Sequence, residues 1–390
     1  MWKRFLKVLR CPFCQNEMDL AAIDEHNVNL SVEVHKRGES LGILPEKLGN
    51  YIETGILLCV KCKHWFPIFN GLPILLPYET LLTREISKKY EHIVREITSG
   101  FSTPRLLPKP GEDLTLRSFS KEWLDYKYDG VIWGWSYEDR EKTFLKEMGV
   151  STGDLIAPKF LEVGCGLGVT TQFAQRNYNG DAVGVDLSFS VLRATDYYRR
   201  NPFMHFIQAS LFQIPLRKNY FDLVYSHGVL HHTHSTRDAF RSICSYCKPK
   251  GWVYIWVYGQ GGQKNSWDRR LGHHAEELLR PFISQAPATV ATILLVPMAL
   301  GYILFDAILR SKNPTRQAYN FSRALHAARD RFTPRFAHRH NYEEVKAWFR
   351  EVGFENIQKI NWRDVPSVVH DLFRGAVGMR GQRKSEMPKG

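Results

Sequence analysis

Phe160-Leu161-Glu162-Val163-Gly164-Cys165-Gly166-Leu167-Gly168 is the stretch on which the fold turns. A short, largely apolar run of strand type enters a G-x-G-x-G turn, and the chain beyond it reads as helix. Glycines allow positive φ and let a backbone pass close beneath a ligand. A strand–turn–helix unit of this kind, taken alone, fits dinucleotide binding. Three features argue otherwise. Glu162 stands two residues before the first glycine, and the turn is one residue shorter than G-x-G-x-x-G. A second acid, Asp186, closes the next strand in Val183-Gly184-Val185-Asp186-Leu187-Ser188. A carboxylate there can accept both hydroxyls of a ribose, each charge-assisted bond contributing roughly 1.5–3 kcal/mol.

Outward from this unit, short β-branched or apolar runs alternate with helical patterns, which predicts β-α units on a parallel sheet. The expected strands are Lys159–Val163, Ala182–Val185, Met204–Ile207, Phe221–Tyr225 and Trp252–Val257. Asn341–Val352 reads as a helix with Glu344 three residues after its Asn cap, a capping box. Asn356–Asn361 and Gly375–Arg380 suit a final antiparallel pair.

These features together resemble the class I S-adenosylmethionine-dependent methyltransferases over about residues 120–385. Glu162–Gly168 matches their first motif and Asp186 their ribose-binding acid. Gln208-Ala209-Ser210-Leu211 with Ile214-Pro215-Leu216 matches the segment after strand 3. Tyr225-Ser226-His227-Gly228-Val229-Leu230-His231-His232-Thr233 matches the motif after strand 4, and Lys248-Pro249-Lys250-Gly251 the turn before strand 5. The resemblance implies an α/β, Rossmann-like seven-stranded sheet, mostly parallel with its last strand antiparallel. It implies S-adenosylmethionine held by Glu162, Gly164, Cys165, Gly166, Gly168, Asp186, Leu187, Ser210, Leu211 and His227, with His231 and His232 as the catalytic candidates beside the acceptor. Many relatives carry Asp after strand 3, where it holds the adenine amino group; Ser210 stands there here, which leaves adenine to the Leu211 N–H and packing. The histidines also suit a plainer role, capping the next helix or stacking locally. Trp133 and Trp135 suit either a lid or core. No Asn-Pro-Pro-Tyr-type signature and no catalytic cysteine pair of the RNA-cytosine type is visible.

Of seven cysteines, four form two C-x-x-C pairs, Cys11/Cys14 and Cys59/Cys62, a spacing that can close a tetrahedral Zn²⁺ shell with no open position. The site therefore reads as structural. Cys244 and Cys247 read as buried helix residues. His64–Pro77 reads as strand, Asn-Gly turn, strand. C-P-x-C, C-x-x-C, Phe-Pro-Ile and Leu-Leu-Pro resemble the small zinc-ribbon family that partners tRNA and protein methyltransferases. A ribbon also precedes ribosomal-RNA guanine methyltransferases, whose second half differs. The expected organisation is a ribbon over 1–78, a linker with helix over 79–125 (one helix over Thr83–Ile97), and the methyltransferase domain over 126–385, with a helical cap inserted at about 262–340.

The formal net charge is +13. Residues 1–150 net to zero, whereas 261–390 carry +9. Most of this excess is a run from Arg310 to Arg339, where eight basic residues face Asp330 alone. The run follows Ala286–Phe305, which has no charge. A helix spanning a bilayer there would put segments needed in one sheet on opposite sides. The alternatives are a core or cap helix, or helices lying on a membrane or covering a greasy substrate. These placements favour an amphiphilic small-molecule acceptor, with peripheral membrane contact through 286–339, over RNA gripped by the ribbon. A scaffold role is opposed by the intact Gly164, Gly166, Gly168 and Asp186. Cysteine usage, and an N-terminus without a continuous apolar core, suit a cytoplasmic setting, membrane-peripheral if the apolar segment docks.

Overall fold

The computed structural model describes residues 1–125, 131–132, 135–151, 153–260, 267–312, 320–366, 370 and 375–385. An antiparallel sheet comes first: β1 (Asp19–Asn27), β2 (Asn50–Cys59), β3 (His64–Phe69) and β4 (Leu72–Pro73), paired in that order. Helices α1 (Val32–Ser40) and α2 (Pro45–Leu48) fill the β1–β2 connection. The expected Asn-Gly turn forms between β3 and β4, with Asn70 and Gly71 at φ 47° and 76°. β1 is exposed or half-buried along its length. An edge strand wetted on both faces shows no alternation, so its sequence does not announce it.

Helices α3 (Leu81–Lys89) and α4 (Glu91–Ile97) replace the single helix expected over Thr83–Ile97, because Tyr90 at φ −117°, ψ 34° leaves helical geometry. α5 (Glu112–Asp125) follows the proline-rich segment 104–110. A short hairpin, β5 (Val131–Ile132) and β6 (Trp135–Ser136), leads into α6 (Tyr137–Met148), which opens on a Ser136/Asp139 capping box and stops at left-handed Gly149.

The central sheet is built from β7 (Phe160–Val163), α7 (Val169–Tyr178), β8 (Ala182–Asp186), α8 (Ser190–Tyr197), β9 (Met204–Gln208), β10 (Phe221–His227), α9 (Thr236–Cys244) and β11 (Cys247–Tyr258). An insertion of α10 (Trp267–Gln285), α11 (Ala288–Lys312) and α12 (Phe321–Phe332) precedes α13 (Tyr342–Glu351), β12 (Phe354–Lys359) and β13 (Ala376–Arg383). The strand order is β12-β13-β11-β10-β7-β8-β9. β7 to β11 run parallel, and β13 is antiparallel to both β11 and β12. The chain leaves β7 for β8 on one side, while β10 flanks it on the other, so the crevice lies past the ends of β7 and β10. Cys247 opens β11 and only Cys244 is helical, which corrects the expected helical pair; both are buried. Strand β11 takes up the turn after α9 because Cys247 pairs with Phe221 at the start of β10.

The first sheet is joined closely to the second. Leu75 N–H donates to the Gln208 carbonyl (2.9 Å) at the open edge of β9, Arg10 N–H to Pro215 O (2.8 Å) and Arg217 N–H to Val8 O (3.0 Å). Arg4 donates to both carboxylate oxygens of Asp181 and to Pro202 O. Phe5, Leu9, Ile52, Leu57 and Leu75 share one apolar core with Ile207, Ile214, Leu216 and Phe221. The edge of β9, which would otherwise be an open template for pairing, is thereby covered.

Candidate active site

Past β7 the chain turns through Gly164, Gly166 and Gly168 at φ 81°, 51° and 75°. A Cβ on Gly164 would lie 2.1 Å from Val229 Cγ2, and one on Gly168 2.7 Å from the Phe206 ring. Only glycine fits at either place. The Gly166 N–H donates to Asp186 Oδ2 at 2.7 Å, while Asp186 Oδ1 accepts from the Ser188 N–H and hydroxyl, both at 2.7 Å. These bonds fix the carboxylate at the end of β8. Burial raises its pKa against their pull.

A cavity of about 240 Å³ opens over this turn. Glu162, Gly164, Cys165, Gly166, Asp186, Leu187, Leu211, His227 and His232 all line it. Gly168, Ser210 and His231 are not on its wall. Gly168 serves instead as the N-cap of α7. Ser210 is buried and caps the turn at Leu211–Gln213, its hydroxyl accepting from Phe212 N–H at 3.3 Å. His231 is completely buried, its ring 3.9 Å from that of Tyr258 and 4.2 Å from that of His232. The plainer expectation for these histidines, local stacking, describes His231.

Glu162 is buried at the floor and accepts from the Thr171 hydroxyl at 2.5 Å; burial pushes its pKa up to about 8. Arg140 of α6 lines the same end, bonds Thr170 Oγ1 at 3.1 Å, and leaves its buried Nε without a partner. His227, at the end of β10, stacks on Trp256 with centroids 4.7 Å apart, and its Nδ1 lies 3.0 Å from Glu147 Oε1. Glu147, buried on α6, also accepts from the Tyr225 and Tyr254 hydroxyls at 2.5 and 2.6 Å. One carboxylate thus orients two tyrosines and a histidine. His232 Nδ1 lies 2.8 Å from the Phe336 carbonyl, so it is the protonated nitrogen and Nε2 keeps its lone pair, unpartnered. Burial pushes the His232 pKa down to about 4 and holds the ring neutral.

Several wall residues were beyond sequence reasoning because they come from elements outside the expected motifs. Glu112 and Phe119 stand on α5, in what read as linker, and Asp330 on α12. Glu112 is buried beside the Ser210 hydroxyl, and its Oε2 accepts from Lys109 N–H at 2.9 Å. Asp330 accepts from the Tyr258 hydroxyl at 2.8 Å. Trp135 lines the cavity, whereas Trp133 lies outside the described residues. Arg140 and Glu147 lie on α6, whose helical pattern over Tyr137–Met148 is visible in the sequence.

The Sγ atoms of Cys11, Cys14, Cys59 and Cys62 lie within 4.8 Å of one another, against about 3.8 Å between thiolates in a tetrahedral zinc shell. The two knuckles share one geometry. Gln15 N–H donates to Cys11 O and Lys63 N–H to Cys59 O, both at 2.9 Å, with Gln15 and Lys63 left-handed at φ 60° and 54°. Four soft donors converging from two matched turns fit Zn²⁺ and leave no position for a substrate.

Known proteins agree with both halves. A family profile described as methyltransferase domain matches residues 161–255, and one described as Trm112p-like protein matches residues 3–71. The chain therefore carries a methyltransferase domain behind a Trm112p-like ribbon. An uncharacterized protein of Synechococcus sp. is 29% identical over 139 residues, 34% of this chain and 32% of that protein. The chain thus spans about a third of that curated relative. Among solved structures, Haemonchus contortus phosphoethanolamine N-methyltransferase 2 with S-adenosyl-L-methionine aligns over 73% of this chain and 62% of its own, at 15% identity and TM-score 0.43. A chain from a complex of the Haloferax volcanii Trm112 methyltransferase activator aligns over 72% of this chain and 100% of its own, at 13% identity and TM-score 0.41. These distant structural likenesses carry no functional argument.

Proposed function

We propose that this chain, a methyltransferase domain with its zinc ribbon in cis, transfers a methyl group from S-adenosylmethionine to an amphiphilic small-molecule acceptor. The observation that carries the reading is the shared cavity. Its lining brings Asp186, Glu162 and Arg140 together with Phe119 of α5, Trp256 and Tyr258 of β11, and two further polar groups, His232 after β10 and Asp330 of the inserted α12.

When bound, S-adenosylmethionine supplies a methyl group already activated on sulfur, so the protein's task is positioning and water exclusion. Asp186 accepts the ribose hydroxyls, and the glycine turn lets the backbone approach. Arg140, with its buried Nε unpartnered, suits the carboxylate of the amino-acid end. Glu112 suits the adenine amino group and takes the place of the acid that Ser210 lacks. His227, oriented by Glu147, packs beside the transferring centre. The neutral His232 offers Nε2 to a proton leaving the acceptor, and its Nδ1–H stays committed to Phe336. His231 supports the wall from behind. The inserted helices act as a cap over the acceptor.

The Trm112p-like ribbon favours a second reading, an RNA acceptor. Purified protein incubated with methyl-labelled S-adenosylmethionine, a lipid extract and total RNA separates the two. Label in the organic phase is expected; label in the RNA would overturn the acceptor class.

A further inference from the structure

Among the described residues, the inserted helices carry apolar side chains that are largely exposed. On α11, Ile293, Leu300, Leu304 and Ile308 recur at spacings of seven, four and four residues, with Ile293 64% and Leu304 68% exposed. On α10, Leu278 and Phe282 are 71% and 76% exposed. Between Arg280 and Asp306 the sequence holds no charge. The stripe from Val290 to Ile308 spans about 27 Å at the helical rise. Soluble monomers rarely expose a continuous apolar surface of this size.

The segment Thr289–Ile308 is long and apolar enough to cross a bilayer, by length and composition alone. The opposite face of α11 is packed on α12, which opposes crossing. Ala291 and Leu295 are buried against Ala328 and Phe332 of α12. Arg329 donates to Thr292 Oγ1 at 3.3 Å and Arg331 to the Tyr302 hydroxyl at 3.1 Å, while Asp306 is buried. Withdrawing α11 into hydrocarbon would break these contacts and bare those groups. A helix held from behind and apolar in front suits the plane of an interface.

We propose that the α10–α11 face docks in the plane of an anionic lipid bilayer. Charge selects this occupant. The sequence from 307 to 340 holds eight basic residues and one acid, immediately after the apolar stripe; Arg329, Arg331 and Arg339 are engaged by α11 or Glu276, and the remaining five carry the excess. A second copy docking face to face would bring two such runs together, like against like, whereas anionic headgroups supply the opposite sign. Among the described residues, every exposed position of α11 from Val290 to Ile308 is apolar, which leaves little to set a register against a protein partner. Helix α12 joins surface to site, since Arg329 and Arg331 reach α11 and the intervening Asp330 lines the cavity. An amphiphile in the docked leaflet therefore lies one helix from the acceptor wall. Docking rests on the exposed face alone; delivery of the acceptor rests on the proposed function.

The test is sedimentation of the full chain, without cofactor, with vesicles of phosphatidylcholine alone or mixed with phosphatidylglycerol. The protein should sediment with the mixed vesicles and be released by salt. Phe282→Ser with Leu304→Gln, both at exposed positions, should weaken partitioning at least about tenfold while leaving the melting temperature and S-adenosylhomocysteine binding unchanged. Wild-type protein that stays in solution with both vesicles, or a double variant that binds like wild type, would overturn the proposal. So would a dimer that the double variant abolishes while vesicle binding persists. S-adenosylhomocysteine calorimetry on the same samples reports the methyltransferase reading separately, so either can fail without the other.

Discussion

Loss of zinc should unfold the methyltransferase sheet along with the ribbon. Cys11 and Cys59 are buried in the same apolar core as Ile207, Leu216 and Phe221 of the catalytic half. Among the described residues, three main-chain hydrogen bonds cross between the halves, each worth about 0.5–1.5 kcal/mol. The partly buried Arg4–Asp181 pair adds about 1.5–3 kcal/mol as a charge-assisted bond. Leu9 and Leu75, both fully buried, add about 1.5–3 kcal/mol each. The gross figure is about 6–13 kcal/mol, from which ordering entropy is subtracted. It is comparable to the whole stability of a domain, about 5–15 kcal/mol. Zinc itself contributes on the order of 10 kcal/mol to holding the ribbon folded. Scanning calorimetry of the native chain should therefore show one cooperative transition, and chelator or Cys59→Ser should shift all of it downward. Two separate transitions, with the catalytic one unmoved by chelation, would refute this coupling.

Three further outcomes are expected. Glu112→Ala should weaken S-adenosylhomocysteine binding by roughly tenfold to a hundredfold, with a much smaller effect on an analogue whose adenine amino group is replaced by oxygen; equal losses for both ligands in calorimetry would remove Glu112 from adenine recognition. His232→Gln should lower kcat by about a hundredfold or more with binding of S-adenosylhomocysteine intact, whereas His231→Gln should mainly lower the melting temperature; the reverse pattern would move the proton-accepting role. Acid should destabilise the fold through histidines buried neutral: His232 is pushed down to about 4, and His205 and His326 to about 3, chiefly by burial. Their stabilisation is complete above the unfolded value near 6.5 and is lost as pH falls towards the folded values, by up to about 3 kcal/mol for His232 alone. A urea midpoint that stays flat from pH 6.5 to 4 would contradict this.

The glycine turn, Asp186 and the five parallel strands could be read in advance because backbone geometry demands them. Positive φ at Gly164 and a Val229 side chain 2.1 Å from its absent Cβ leave one residue type. The cysteine knuckles were legible for the same reason, since ligand spacing is local. Residues that reach the cavity from distant elements were not. Glu112 sits 98 positions before Ser210 in sequence, and no local pattern links them; their proximity follows from α5 folding against the sheet. His231 and His232 are adjacent and alike in sequence, yet one faces the cavity and the other packs behind it. Which of them does so depends on the turn at Leu230–His232 and on the Phe336 carbonyl that fixes the second ring. β1 was hidden because an exposed edge strand has no apolar side to alternate.

The account rests on Asp186 and its glycine turn holding S-adenosylmethionine, and titration calorimetry with S-adenosylhomocysteine tests this most directly. Wild-type protein should bind at one site per chain, and Asp186→Ala, losing two charge-assisted bonds to the ribose, should bind at least about a hundredfold more weakly. No binding by folded wild-type protein, or an Asp186→Ala variant indistinguishable from it, would contradict the account.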